Sequence, residues 1–471
     1  LEIERWMSQS DPNGTEIETP PVDIRAGPHR ISAAFLPTQE GPVADVLSPI
    51  GHSLADTQIG LAYGITTVPH LRELRIGGPL TVTGVSDTPS RREVFQCRPT
   101  APGEEEACAE RIITRLATKA FRRPVDSGDL TDLMAFYRQG EDEGGFEVGI
   151  RTALQAVLAS PHFLFRIEEL DSPTDIEGVY ALSDLDLATR LSFFLWGAPP
   201  DDELLSVAEE DRLSDPEVMR AQVERMLASP AAEGLGHRFA AQWLRLSDIE
   251  KVHPDALKYP DYDTQLSEDL VEETVRFFNH LVAEDRSVLE LMTADYTFVN
   301  ERLAQHYGIP GVAGVDFEKV QYPDDKRRGL LGHGSVLTLT SHANRTSPVL
   351  RGKWVMEVLL GTPPPPPPPN VPGLEETGDA QDGRFLSVRE QMEMHRANPS
   401  CNSCHSMIDP LGLALENYDV TGRWRIKDSG NDIDVRGELY DGTPLTSVAD
   451  LRGALLSRPD PLLRTFTENL M

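Results

Sequence analysis

Cys401-Asn402-Ser403-Cys404-His405 is the most informative stretch of this 471-residue chain. Two thiols three positions apart, followed at once by a histidine, form C-x-x-C-H, the pattern of covalent c-type haem attachment. On a helix that spacing sets both thiols one turn apart on one face. Each can then add to one vinyl group, while the adjacent histidine swings beneath the ring to ligate iron. A redox dithiol would need a thioredoxin-like strand-to-helix junction, and half of a zinc site would need a second ligand pair nearby. Neither context is visible, and the next cysteine toward the N-terminus is Cys108.

Working outward, Ser387-Val-Arg-Glu390 reads as a capping box opening a helix that runs toward the motif. Val388, Met392 and His395 share one face of it. Downstream lie Asp409-Pro-Leu-Gly412, Glu416-Asn-Tyr-Asp419 and Gly422-Arg-Trp-Arg425. Arg423 and Arg425 could pair with haem propionates, and Trp424 or Tyr418 could pack on the ring edge. Surface placement accounts for each of them equally well.

The sixth iron ligand stays open at this level. Small cytochromes c supply an axial methionine downstream of the motif, but after His405 there is no histidine and the methionines are Met407 and Met471. Met407, two residues from His405, cannot easily reach the opposite face. The candidates are His395, His342, Met356 and Met471. With no sixth ligand, the iron would bind peroxide or oxygen and the protein would be an oxidoreductase. Ser341-His-Ala-Asn-Arg-Thr-Ser-Pro348 could then supply His342, Asn344 or Arg345 as polar donors, though a loop that caps helices would look the same.

Toward the N-terminus, the expected fold class is multidomain and mainly α. Gly361-Thr-Pro-Pro-Pro-Pro-Pro-Pro-Pro-Asn370 reads as a stiff polyproline II spacer, continued by an acidic linker, over 361–384. Residues 385–471 then form a small α cytochrome c-like haem domain. Residues 171–360 read as all-α, with helices at Leu187–Leu195, Pro216–Leu227 and Leu266–Val282, and 97–170 as a further helical region. Residues 1–96, rich in Pro, Gly, Thr and Asp with short alternating runs at His29–Leu36 and Leu71–Ile76, read as a partial β-sandwich-like, carbohydrate-binding-like module.

A net charge of −32 argues against nucleic acid or an anionic membrane surface as a partner. No stretch approaches 18 apolar residues, so nothing reads as membrane-spanning. Haem attachment of this kind occurs outside the cytoplasm, which places the protein in the periplasm, outside the cell or at its surface. Disulfides are permitted there, and Cys97 and Cys108 are read as one. The chain opens at Leu1 without a leader, so any signal peptide is read as removed or left out. Asp23, Asp45 and Asp87 are weak candidates for calcium.

Several segments together resemble the large planctomycete-type c-type cytochrome family. They are Gly78-Pro-Leu-Thr-Val-Thr-Gly-Val-Ser-Asp-Thr-Pro-Ser-Arg-Arg92, Ala120-Phe-Arg-Arg-Pro-Val125, Leu154-Gln-Ala-Val-Leu-Ala-Ser-Pro-His-Phe-Leu-Phe-Arg166, Arg328-Gly-Leu-Leu-Gly-His333 and Arg345-Thr-Ser-Pro-Val-Leu-Arg-Gly-Lys-Trp354, together with the proline run and the haem segment through Arg425. The resemblance implies an exported haem protein made of adjoining domains of unknown function, with Cys401, Cys404 and His405 at the haem-binding positions. It supplies no reaction. Such proteins usually begin earlier and continue past Thr467-Glu-Asn-Leu-Met471, so the chain is expected to be part of something longer. Three functions remain: electron transfer to a redox partner protein, haem-dependent peroxidase or oxygenase chemistry on a polymer or organic substrate, and polysaccharide binding or a structural role in a larger surface complex.

Overall fold

The structure, a computed structural model, describes residues 17–25, 27, 29–33, 73–82, 84, 87–101, 103–168, 181–366, 387–396 and 399–471 except 429, with the backbone alone at 399–401 and 403. The chain is mainly helical and divides into two compact units, Leu1–Ser229 and Pro230–Met471.

In the first unit, α1 (Pro89–Val94) starts at Thr88, whose hydroxyl accepts from the Arg91 amide. The core is built by α2 (Glu105–Phe121), α3 (Ser127–Gly144) and α4 (Phe146–Ala159), whose apolar stripes bury Ile112, Ile113, Tyr137, Ile150 and Ala153. Helices α3 and α4 form an antiparallel hairpin that turns at Gly145, where φ is 82°, a region open to glycine at no steric cost. A Cβ at Gly149 would run into the Tyr137 ring, so the close approach of the two helices depends on glycine. The Cys97–Cys108 disulfide, with Cα atoms 5.9 Å apart, ties the preceding segment to the first turn of α2. At the far end, Arg122 donates to the carbonyls of His162 at 2.6 Å and Phe165 at 2.8 Å around α5 (Pro161–Leu164).

Helices α6 (Asp184–Leu195), α7 (Asp202–Glu209) and α8 (Pro216–Leu227) complete the unit. The Ser183 hydroxyl accepts from the Asp186 amide and caps α6. The Trp196 indole donates to the Met226 carbonyl at 2.9 Å, holding α6 to α8.

The second unit begins with α9 (Ala241–Trp243) and α10 (Thr264–Ala283), and α10 buries Leu266, Leu270, Phe277 and Phe278 on one side. After α11 (Glu290–Thr293), the antiparallel pair β1 (Tyr296–Val299) and β2 (Glu318–Gln321) encloses α12 (Glu301–Tyr307), in register Tyr296 with Gln321 and Val299 with Glu318. Glu273 of α10 is fully buried and accepts from Thr297 at 2.6 Å and Tyr307 at 2.5 Å. Then come α13 (Gly334–Leu339) and α14 (Pro348–Trp354), and, past the proline run, α15 (Val388–Arg396) and α16 (Pro399–Leu413). Small pairs β3 (Lys427–Asp428) with β4 (Asn431–Asp432) and β5 (Gly437–Glu438) with β6 (Pro444–Leu445) precede α17 (Val448–Ser457) and α18 (Asp460–Leu470).

The N-terminal β-sandwich-like module is not supported. Among the described residues of 1–96 there is no strand, and the regular element is helix α1. Leu74 and Ile76, part of the alternation read as a strand, are 48% and 66% exposed. Alternation makes a strand only when one face has a partner surface to cover it. Ala34, Phe35, Leu36, Leu71 and Arg72 lie outside the described residues, as do 367–384 of the spacer and linker and the next two residues. No described helix is long and apolar enough to cross a membrane.

Candidate functional site

Helix α16 carries the whole C-x-x-C-H motif, so Cys401 and Cys404 stand one turn apart on one helix and His405 follows directly. Cys404 and His405 are half-buried. Four residues on, one further turn of the same helix, Asp409 is completely buried, and its Oδ1 lies 2.8 Å from His405 Nδ1. A carboxylate only accepts, so Nδ1–H donates and Nε2 is the nitrogen left with a lone pair. Arg396, at the end of α15, brings its Nε to 3.6 Å from Asp409 Oδ2.

Helix α16 is positioned by close packing. It rests on α14 where Gly352 meets the Ile408 carbonyl and Gly412 meets the Pro348 carbonyl; a Cβ at either glycine would collide with backbone. Val388 and Met392 of α15 pack with Leu413 and Val349, which explains two members of the face read from the sequence. The third, His395, meets His405 edge to face, with ring centroids 5.0 Å apart and planes at 66°. Burial and the neighbouring His405 pull the His395 pKa below the usual imidazole range. Rings in edge contact leave no slot for a flat macrocycle between them, so His395 could act as a sixth ligand only if α15 shifted.

The other residues singled out from the sequence have different surroundings. His342 is exposed, and its amide donates to the Arg345 carbonyl at 3.0 Å. Met356 is half-buried in the turn that follows α14, and Met471 is 92% exposed. Arg425 is bonded to Glu416 at 2.9 Å, Thr346 at 3.0 Å and Asp428 at 2.8 Å. Arg423 reaches His306 Nδ1 at 3.2 Å and Asp261 at 2.9 Å. Trp424 stands edge-on to Tyr418 at 5.2 Å, with the Lys326 ammonium 5.6 Å from its ring. These contacts knit the segment after α16 into the second unit. Asp87 is held by Arg92 through two bonds of 2.8 and 2.9 Å, Asp23 is exposed, and Asp45 lies outside the described residues. Among the described residues there is no cluster of three or more His, Cys, Asp or Glu side chains able to hold a metal ion.

Sequence reasoning gave no role to Asp409, Arg396 or Glu416. The His405/Asp409 spacing of four was visible, but the burial that makes the pair unusual was not.

The class these features point to agrees with the comparisons: three matches fall on planctomycete cytochrome-c-like domain families. Residues 108–168 match PSD5, a protein of unknown function (DUF1595). Residues 182–309 match PSD4, a protein of unknown function (DUF1592), and residues 327–428, including the whole motif, match PSCyt3, a protein of unknown function (DUF1588). No curated protein and no solved structure matches the chain.

Proposed function

We propose that this chain is an exported c-type cytochrome with one covalent haem, carrying electrons outside the cytoplasm. The observation that carries the reading is the helical Cys401-x-x-Cys404-His405 turn with the His405 ring pinned through Nδ1, inside a segment that matches a cytochrome-like family. Cys401 and Cys404 would hold the porphyrin by thioethers, and His405 would ligate iron through Nε2. The haem supplies one-electron chemistry when bound. The protein fixes the histidine's tautomer and orientation, and the acidic surface favours a basic redox partner protein.

A second reading, oxidoreductase chemistry at an open sixth position, is favoured by the edge contact of His395 with His405, which leaves no room for a flat ring between them.

Expression with a periplasmic haem-attachment system tests the first reading. Denatured protein should keep its Soret band on a gel and give one haem per chain as the pyridine haemochrome. A Cys401→Ala/Cys404→Ala double variant that kept covalent haem would overturn it. Carbon monoxide then separates the two functions: a ferrous spectrum indifferent to the gas supports a carrier, and rapid binding supports the oxidoreductase.

A further inference from the structure

We propose that Asp409 is a positioning residue that turns His405 into a strongly donating axial ligand and thereby sets a low midpoint potential; this rests on the haem reading above. The pair is built into one helix at i and i+4, so it needs no other element to form. What a stability argument does not explain is its burial. Asp409 has no exposed surface, yet among the described residues its Oδ2 accepts no hydrogen bond, the nearest cation being the Arg396 guanidinium at 3.6 Å. Taking a carboxylate out of water costs several kcal/mol, which an ion pair in the interior repays only when its hydrogen bonds are complete. A backbone carbonyl would fix the same tautomer without that cost.

A carboxylate differs from a carbonyl in its charge. Donation from Nδ1–H to an anion gives the ring imidazolate character and raises the basicity of Nε2, the effect that buried carboxylates exert on metal-bound histidines. A more basic ligand stabilises the ferric over the ferrous state. Arg396 faces Oδ2 at 3.6 Å, beyond hydrogen-bond reach, while Oδ1 accepts from His405 at 2.8 Å.

The test is Asp409→Asn in the haem-loaded full chain, since asparagine keeps the shape and the accepting oxygen and loses the charge. At a fixed ambient potential near the midpoint, the reduced-to-oxidised ratio should rise at least tenfold, 59 mV for a one-electron couple. The iron–histidine stretching band of the ferrous protein, read by picosecond resonance Raman after photodissociation of whichever ligand occupies the sixth position, should fall in frequency. Loss of a nearby charge acting only through space would raise the potential and leave that band in place, which would overturn the inference. So would a loaded variant with both readouts unchanged. If the variant does not load, the wild-type band decides: a frequency typical of a carbonyl-bonded histidine overturns the proposal, and a higher one supports it. A wild type without covalent haem fails earlier and overturns the haem reading itself.

Discussion

Arg423 donates from Nε to His306 Nδ1 at 3.2 Å, and His306 in turn donates from Nε2 to the Thr421 carbonyl at 2.7 Å. Both partners fix the neutral tautomer, because a guanidinium can only donate and a carbonyl can only accept. Burial, with Arg423 and Arg327 adding like charge against the opposing pull of the Thr421 carbonyl and Asp419, pushes the His306 pKa down to about 4. The unfolded chain therefore binds a proton between the ordinary value of 6.5 and about 4 that the folded chain refuses. Stability is fully present above pH 6.5 and lost as pH falls through that window, by about 3 kcal/mol for a shift of this size. Urea unfolding of wild type and His306→Gln between pH 7 and 4 should show a difference that shrinks as pH falls; a constant difference would count against the assignment.

Arg351 is the largest fully buried side chain among the described residues, and it donates to the carbonyls of Leu415, Tyr418 and Asp419 at 2.7–2.8 Å while lying 3.7 Å from Glu416. Burial brings its pKa down to about 10 and pushes that of Glu416 up. Arg351→Met removes the donors and strands both the carbonyls and the acid, so it should cost about 3–5 kcal/mol. Adding Glu416→Gln should cost less than the sum of the two single changes, because the two sites share partners. A loss under about 1 kcal/mol in Arg351→Met by urea denaturation would mean the segment after α16 is held some other way.

What the sequence made legible was local. Helices Asp184–Leu195 and Pro216–Leu227 follow from caps and a 3.6-residue period within a dozen positions, and the motif helix from three residues of fixed spacing. Arg423 and Arg425 were harder, because their partners His306 and Thr346 lie far away in the chain and no pattern in the sequence joins them. The same holds for Asp409: its spacing to His405 is plain, but its burial depends on how α14, α15 and α16 pack. The β reading of residues 1–96 is not supported, for the opposite reason. Turn residues and brief alternation were visible, and the covering surface that would make them strands was not there to be read.

The Cys97–Cys108 bridge closes a loop over a sequence separation of 11. Loop-closure entropy for that length predicts about 3 kcal/mol of stabilisation, acting mainly on the unfolded chain. Cys97→Ser/Cys108→Ser should lower stability by that amount without changing the helical circular dichroism of α2, α3 and α4. Loss of helical signal at low temperature would show instead that the bridge is needed to form the first unit.

Gly412 and Gly352 let α16 and α14 touch backbone to backbone, so they set the height at which the C-x-x-C-H helix sits. Gly412→Ala would press a methyl group into the Pro348 carbonyl, and overpacking of this kind costs about 1–3 kcal/mol as the helices separate. Separation also pulls Leu413 off Val349 and loosens the α15 contacts that flank His405. The variant should therefore lose both stability and covalent haem yield. Gly453→Ala in α17 is the matching control, because a Cβ there meets nothing within 4 Å. It should gain about 0.5–1 kcal/mol from helix propensity and leave haem yield as it was. Equal haem yields in Gly412→Ala and wild type, measured as pyridine haemochrome per chain, would separate the α14–α16 contact from haem attachment.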